Sequence, residues 1–364
     1  MTKDTTPPVS RPEAMDSNGL AAALDEAATA ALRAPSIYNV QPWKWRINDG
    51  TLELHADPDR QLRATDAEGR MLVVSCGVAL HHAVTALAAL GYSTEIRYLP
   101  NPNDADLLAR IEPTGHQPPT AEQEHLYQAM LRRRTDRRPF GDEPVPQPSL
   151  DELRDRAEDY GVHVHVLHPD QLPEFLVAAS TAASVELTDP AYRAELSTWT
   201  HRPETTGDGV PTTTTVPESP RRVPLRTFAL DGANELEPGD EHDRSTRYAL
   251  LWGDNDGRRA WIHAGEALSA VLIAATALGL AASPMSDLVE VTASRVALRR
   301  MLHWLGHPFV VVRIGVAASA ERVPPTPRRQ HDDMITTADD SGTHDSAAES
   351  SGTDEPGTGR ESGG

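Results

Sequence analysis

Apolar positions recur at helical spacing along residues 18–33, NGLAAALDEAATAALR, where Leu24, Ala28 and Leu32 share one side. Alanine is the best helix former, and Pro35 stops the run. At 43–47 the period changes to two. Trp43, Trp45 and Ile47 alternate with Lys44 and Arg46, the mark of a strand with one buried face. Asp49-Gly50 then predicts a tight turn, so that 43–47 pairs antiparallel with 51–56. Residues 68–91 are apolar nearly all round and close on Gly91, which predicts a central core helix. YSTEIRYL at 92–99 reads as a strand, and DADLLARIEP leads into another.

The pattern resumes after a Pro- and Gly-containing stretch at 113–123. A helix is predicted over about 122–134, a strictly alternating strand at 162–167, and helical stretches at 170–184 and 189–203. Residues 204–246 are rich in Pro, Thr, Gly and acidic groups; a connection that long is a spacer or a lid candidate. A strand and turn at 247–256, a helix over roughly 259–278 closed by Gly279, a further helix and a strand at 309–316 complete the fold. The helix at 259–278 echoes the one at 68–91: AVTALAALG ends one and VLIAATALG the other, which hints at duplication. Residues 1–17 read as a disordered lead-in. Residues 331–364 hold nine acidic residues and one arginine and read as a disordered acidic tail outside the fold.

Composition narrows the function. The 364 residues carry a formal net charge of −20, against a general nucleic-acid binder but not against a local anion site. The one cysteine, Cys76, excludes an intrachain disulfide and reads as a small buried hydrophobe. The N-terminus shows no apolar signal region, and no uninterrupted apolar run reaches the roughly 20 residues that span a bilayer. The expectation is a cytoplasmic protein without a membrane or nucleic-acid partner. His81 and His82 are adjacent on a helix and point apart, so core or interface roles are expected. His163, His165 and His168 lack a fixed carboxylate or thiolate partner, and no metal site is assigned.

Against that acidic background, Arg132 to Arg138 is a basic knot with five arginines in seven residues. Arginine's planar fork suits phosphate and Thr135 adds a hydroxyl, yet a helix C-terminus also favours positive charge. The run alone fits a solvated basic face or an anion site. The loop APSIYNVQPWKW at 34–45 adds Ser36, Asn39 and Gln41, whose short polar groups serve either loop backbone or a ligand.

Taken together, APSIYNVQPWKW, RRTDRRPF at 133–140, the helix and ALGL run at 263–280, and HPFVVVRIG at 307–315 with PTPRR resemble the flavin-dependent nitroreductase superfamily. The resemblance is nearest to its duplicated, single-chain Acg-like branch and covers about 18–330. It implies an α+β fold, a duplicated nitroreductase-like unit in which each half is a mainly antiparallel sheet packed with helices. The halves are expected at 18–120 and 121–330, the second carrying the lid candidate 204–246. In the family, an RRSxR-like element holds the FMN phosphate and a PSxxNxQPW-like element reaches the flavin of the partner subunit. Here the second precedes the first by about 100 residues. Nothing before Ala34 resembles RRSxR, and the later region reads AASTAASVELTDP. The resemblance therefore implies an intrachain pseudo-dimer with one flavin site, the chain being a monomer or a homodimer.

By that resemblance Arg133, Thr135 and Arg137 match the phosphate and ribityl contacts, and Arg328 or Arg329 the C-terminal basic group. Pro35, Ser36 and Asn39 match the loop that touches the isoalloxazine, and Gln41 fills the next slot with a more structural character. Trp43 and Trp45 are expected in the core. No catalytic side chain is assigned, because flavin carries the chemistry. The implied activity is FMN-dependent NAD(P)H oxidation with nitroaromatic or quinone-type acceptors. The alternative is a weakly active or inactive FMN-sequestering protein closed by its lid.

Overall fold

A computed structural model of the chain describes residues 17–200, 202–228 and 234–337. The lead-in before Ser17 and the tail beyond Thr337 lie outside the described residues.

The first part of the chain forms α1 (Ser17–Ala31), β1 (Trp43–Asn48), β2 (Thr51–Ala56), α2 (Arg70–Ala89), β3 (Tyr92–Tyr98) and β4 (Leu107–His116). The Asp49-Gly50 turn joins β1 to β2 in antiparallel register, Trp45 opposite Leu54. Trp43 and Trp45 are fully buried and Lys44 and Arg46 exposed, as the alternation requires. The second part forms α3 (Ala121–Arg132), α4 (Gln147–Glu158), β5 (His163–Val166), α5 (Leu172–Thr188), α6 (Pro190–Thr200), β6 (Arg247–Gly253), α7 (Arg258–Ala277), β7 (Ala281–Met285), α8 (Asp287–Glu290), α9 (Thr292–Met301) and β8 (His307–Gly315).

Two sheets result. The first has the order β3-β4-β2-β1 with the short strand β9 (Ile335–Thr337) at its edge; the second has the order β5-β6-β8-β7. Read from the other edge, the second sheet is β7-β8-β6-β5. Strand for strand this matches β3-β4-β2-β1, and every one of these pairs is antiparallel in both sheets. Helices α2 and α7 form the centre, each 20 residues long. Gly77 and Gly265 each hold the eighth place of their helix, and there the two backbones touch. A Cβ on Gly77 would lie 2.2 Å from the Ile262 carbonyl oxygen, and one on Gly265 2.1 Å from that of Val74. Only glycine permits that approach. By length and apolarity α2 and α7 each meet the requirement for crossing a bilayer, but 78% and 72% of their most apolar windows are buried inside the protein. His82 is buried at this crossing and His81 beside it, each with Nδ1 in hydrogen-bond range of Ser269 Oγ at 2.9 and 2.8 Å. Cys76 is fully buried and its Sγ donates to the Pro42 carbonyl.

The fold continues past the expected end at residue 330. The chain after β8 crosses to the first sheet, where Trp45 N donates to Met334 O at 2.7 Å and β9 pairs parallel with β1. Met334 and Ile335 are buried. These two apolar residues sit inside a polar tail, and their burial anchors 331–337 although its composition resembles a disordered segment. This crossing lays 325–329 over the loop after α1.

Candidate functional site

Two cavities lie side by side between the loop after α1 and the basic knot, one of about 450 Å³ and one of about 380 Å³. Pro35, Ser36, Thr135 and Arg137 line both and form the partition between them. The larger is basic: Arg33, Arg133, Arg134, Arg328 and Arg329 face it. The smaller is mixed: apolar groups and hydroxyls such as Met71, Val74, Ser75, Ser283 and Ser286 line it together with the charged Arg221, Arg222, Arg226 and Asp287.

The basic knot begins where α3 ends. Arg133 N makes the last helical bond, to Ala129 O at 2.9 Å, and the backbone then turns extended. Arg313, fully buried in β8, donates to the carbonyls of Asp136 and Arg138 at 2.7 and 2.8 Å and pairs with Asp243 at 2.7 Å. Arg138 is held by Asp136 at 2.7 Å, and Arg132 is exposed, so these two arginines of the knot are structural or solvated. Arg133 is different. It is 5% exposed, and its Nε and Nη1 have no hydrogen-bond partner among the described residues. Burial, with Arg134 close by, lowers its pKa to about 10. Burial and the fields of Arg133, Arg134 and Arg33 bring Arg328 down to about 9. A buried cation without an acceptor is costly. These groups are arranged for an anion that supplies the missing acceptors. Arg137 Nη1 donates to Thr214 O at 3.1 Å and its guanidinium stacks on Phe228, 4.5 Å from the ring centroid. It thus sits at the partition, with Thr135.

The loop after α1 carries three non-glycine residues of positive φ: Tyr38 (46°), Asn39 (55°) and Gln41 (50°). Each such residue costs about 1–3 kcal/mol and persists only where its surroundings fix it. Ser36 Oγ accepts from Gln41 N at 2.9 Å, and Ile37 N donates to Ser75 Oγ at 3.2 Å. Asn39 lines the basic cavity and not the smaller one. Its Nδ2 donates to Gly209 O and Pro327 O, both at 3.0 Å, and its Oδ1 accepts from Arg328 at 3.0 Å. Gln41 lines neither cavity. It is fully buried, its Nε2 donating to Gly207 O at 2.8 Å and its Oε1 accepting from Arg329 N at 3.0 Å. The two amides bind the loop to its neighbours in the chain. Pro35, Ser36, Thr135 and Arg137 meet at the partition, while Arg133, Arg328 and Arg329 reach only the basic cavity. Arg329 is drawn toward Asp57, 3.8 Å away.

Residues 202–228 run as a strap from α6 over the site. Its near end is fixed by Asp208, which pairs with both Arg60 and Arg202. Residues 216–222 and 224–228 line the smaller cavity. At the far end Arg226 pairs with Glu186 of α5 at 2.8 Å and Glu290 of α8 at 2.6 Å, and lies 4.9 Å over the Tyr38 ring. Tyr38 Oη donates to Tyr192 Oη at 2.6 Å, which donates to Glu186 at 2.5 Å. Burial raises Glu290 to about 8 against the pull of Arg226, and raises Asp287, which also lines the cavity. Both carboxyls share a buried cluster with Glu186 that holds a single guanidinium, so full ionisation is opposed. Sequence reading missed Arg226, Tyr38, Ser75 and the segment Ser283–Asp287, which ends β7 and enters α8. Tyr38 and the SPMSD segment sit beside the recognised runs, whereas nothing local marks Arg226.

The Nitroreductase family profile matches residues 130–316. The chain is 39% identical over 312 residues to the protein named "Putative NAD(P)H nitroreductase Rv3131" of Mycobacterium tuberculosis (strain ATCC 25618 / H37Rv), across 84% of this chain and 89% of that one. The chain belongs to the nitroreductase family. This family member is also 37% identical over 315 residues to "Putative NAD(P)H nitroreductase acg" of the same strain, across 86% of this chain and 95% of that one. Among solved structures it is similar to the FMN and NADPH-dependent nitroreductase NfnB from sphigopyxis sp. strain HMH, at 17% identity and TM-score 0.38 over 58% of this chain and 97% of that one. The nitroreductase with bound FMN from Desulfitobacterium hafniense DCB-2 gives 13% identity and TM-score 0.36 over the same shares. The family profile takes in the arginine knot and the whole second sheet, and the two relatives extend the likeness to more than four fifths of the chain.

Proposed function

We propose that this nitroreductase-family chain is an intrachain pseudo-dimer that binds one FMN at the junction of its halves and acts as an NAD(P)H-dependent oxidoreductase. The observation that carries the reading is the pair of cavities sharing one wall. One offers buried guanidinium donors that lack acceptors among the described residues; the other offers apolar and hydroxyl surface with charged groups on its strap side. That is the division of a flavin mononucleotide into phosphate and ring. Arg133, with its unpaired buried donors, and Arg328 would hold the phosphate. Thr135 and Arg137 at the partition would flank the ribityl chain. Ser36, Ser75 and the Ser283–Asp287 segment at the end of β7 would face the ring. The matching strand orders and the Gly77–Gly265 crossing support the duplication.

When bound, FMN supplies hydride acceptance from NAD(P)H and electron delivery to a nitroaromatic or quinone-type acceptor. The chain's own residues bind, orient and shield it. A second reading is favoured by the strap. Residues 216–228 cover the ring-sized cavity, as they would in a protein that retains flavin and keeps NAD(P)H away from it. The purified protein should be yellow, and Arg133→Ala with Arg137→Ala should release the flavin, each charged contact being worth about 1.5–3 kcal/mol. Anaerobic stopped-flow mixing with NADPH and with NADH then separates the readings: bleaching of the flavin band supports turnover, and a band that stays oxidised supports retention. A colourless protein that takes up no added FMN sinks both.

A further inference from the structure

The basic cavity holds more positive charge than one flavin phosphate requires. Arg329 is directed to Asp57. For Arg133, Arg134 and Arg328, every charged group that acts on the pKa is another arginine: Arg33 and Arg322 on Arg134, and Arg33, Arg133 and Arg134 on Arg328. Two helix C-termini explain part of this. Arg134 Nη1 donates to the carbonyls of Leu131 and Arg133 at the end of α3, at 3.1 and 2.7 Å. Arg328 Nη2 donates to Arg33 O just past α1, at 2.9 Å. Each helix end is worth about half a negative charge, and a phosphate monoester adds about 1.5 to 2. Together these fall short of the four guanidinium groups Arg33, Arg133, Arg134 and Arg328, with Arg322 adjacent. The room is also generous. At about 30 Å³ per water, a phosphate group takes the space of roughly three waters, a small part of the 450 Å³.

The charged groups divide by depth. Arg133 is buried at the inner wall beside Thr135 and Arg137, where the proposed flavin phosphate sits. Arg33 is exposed and Arg134 half-buried; they form the outer wall. Resting on the flavin reading for the inner position, we propose that the outer half of the cavity, at Arg33 and Arg134, binds a second phosphomonoester dianion. Its source is either free orthophosphate or the 2′-phosphate of NADPH. In the second case these arginines set the preference for the phosphorylated dinucleotide, a choice that no dinucleotide fingerprint in the sequence makes.

The test is calorimetry on the full chain loaded with FMN, using orthophosphate, NADP⁺ and NAD⁺; the oxidised dinucleotides avoid turnover. One orthophosphate should bind beside FMN, and Arg33→Gln with Arg134→Gln should weaken it at least tenfold. Arg33→Gln alone guards against misfolding, because its exposed side chain caps no helix. If NADPH is the source, NADP⁺ binds at least tenfold more tightly than NAD⁺, competes with orthophosphate and loses that advantage in the variants. If orthophosphate is the source, NADP⁺ and NAD⁺ bind alike and do not displace it. The proposal is overturned if FMN expels the only orthophosphate the protein holds, or if neither variant changes orthophosphate binding. On flavin-free protein two orthophosphates should bind. Two bound orthophosphates with no uptake of FMN would overturn the flavin reading and leave the paired anion sites standing.

Discussion

Replacing Arg226 by methionine removes the charge that holds the far end of the strap while keeping most of the side-chain volume. The guanidinium is 6% exposed, meets Glu186 and Glu290 at 2.8 and 2.6 Å, and stacks on Tyr38. Removing one member of a buried ion pair costs about 3–5 kcal/mol, because the carboxylates left behind lose their counter-charge without regaining water. The strap can relieve that cost locally by lifting and letting water reach Glu186 and Glu290, without unfolding the sheets. A change of 3–5 kcal/mol corresponds to roughly a hundred- to several-thousand-fold rise in the open population. Limited proteolysis by trypsin at pH 8 should therefore show the strap, at Arg221 and Arg222, losing protection by at least a hundredfold, with α2 and α7 unchanged. Adding Glu186→Gln and Glu290→Gln should recover much of the protection, since the orphaned charges are gone. Equal loss of protection in α2, α7 and the strap would mean that Arg226 supports the whole fold. No loss at Arg221 and Arg222 would mean that the ion pairs contribute nothing to closure. Either result refutes the reasoning.

The same cluster fixes a pH dependence. An acid whose folded pKa lies above its unfolded value binds more protons when folded, so stability is greatest at low pH and falls as pH rises through the folded pKa. For Glu290 the window runs from the ordinary glutamate range to about 8. Melting temperature should decline across it, and Glu290→Gln should flatten the decline; a rise with pH in the wild type alone would contradict the sign. At the helix crossing, Gly265→Ala places a Cβ 2.1 Å from Val74 O. Overpacking should cost about 1–3 kcal/mol in denaturant melts, and an unchanged midpoint would show that α2 and α7 can part freely. Ending the chain after Gln330 removes buried Met334 and Ile335. That should lower stability by a few kcal/mol, at about 1.5–3 per large apolar side chain, and speed flavin release; unchanged release would detach β9 from the site.

Local signals carried much of the fold into the sequence. The Trp43–Trp45 alternation with Asp49-Gly50 specified the first hairpin, and two apolar 20-residue runs specified α2 and α7, because periodicity and turn chemistry act within a few residues. What failed depends on distant partners. Residues 331–337 have the composition of a tail, and only the edge of β1 makes them a strand. For Asn39 and Gln41 the sequence left loop backbone and ligand both open, and the carbonyls that take their donors, those of Gly207, Gly209 and Pro327, lie well over 100 residues away. Arg226 lies in a Pro-rich stretch with no periodicity, and its partners are 40 and 64 residues distant. Arg133 was legible as a cation, but that it is buried without an acceptor follows only from packing.

The two sheets differ most at one connection. In the first sheet the paired strands β1 and β2 are joined by Asp49-Gly50; in the second, the corresponding β5 and β6 are joined by residues 167–246. Helices α5 and α6 and the strap all grow from that connection. Its strap holds the loop after α1, through Gly207 and Gly209 on Gln41 and Asn39. The far end of the strap holds Tyr38 and α8 through Arg226, and Tyr192 of α6 holds Tyr38 as well. A single insertion therefore touches the loop shared by both cavities and the cover over one of them. The arginines of the basic cavity are supported separately, by α1, α3 and the C-terminal crossing. Loosening the far end should for that reason open the smaller cavity while the anion grip persists. Access and retention are then separable properties of this fold, and the Arg226→Met protein is where they should come apart.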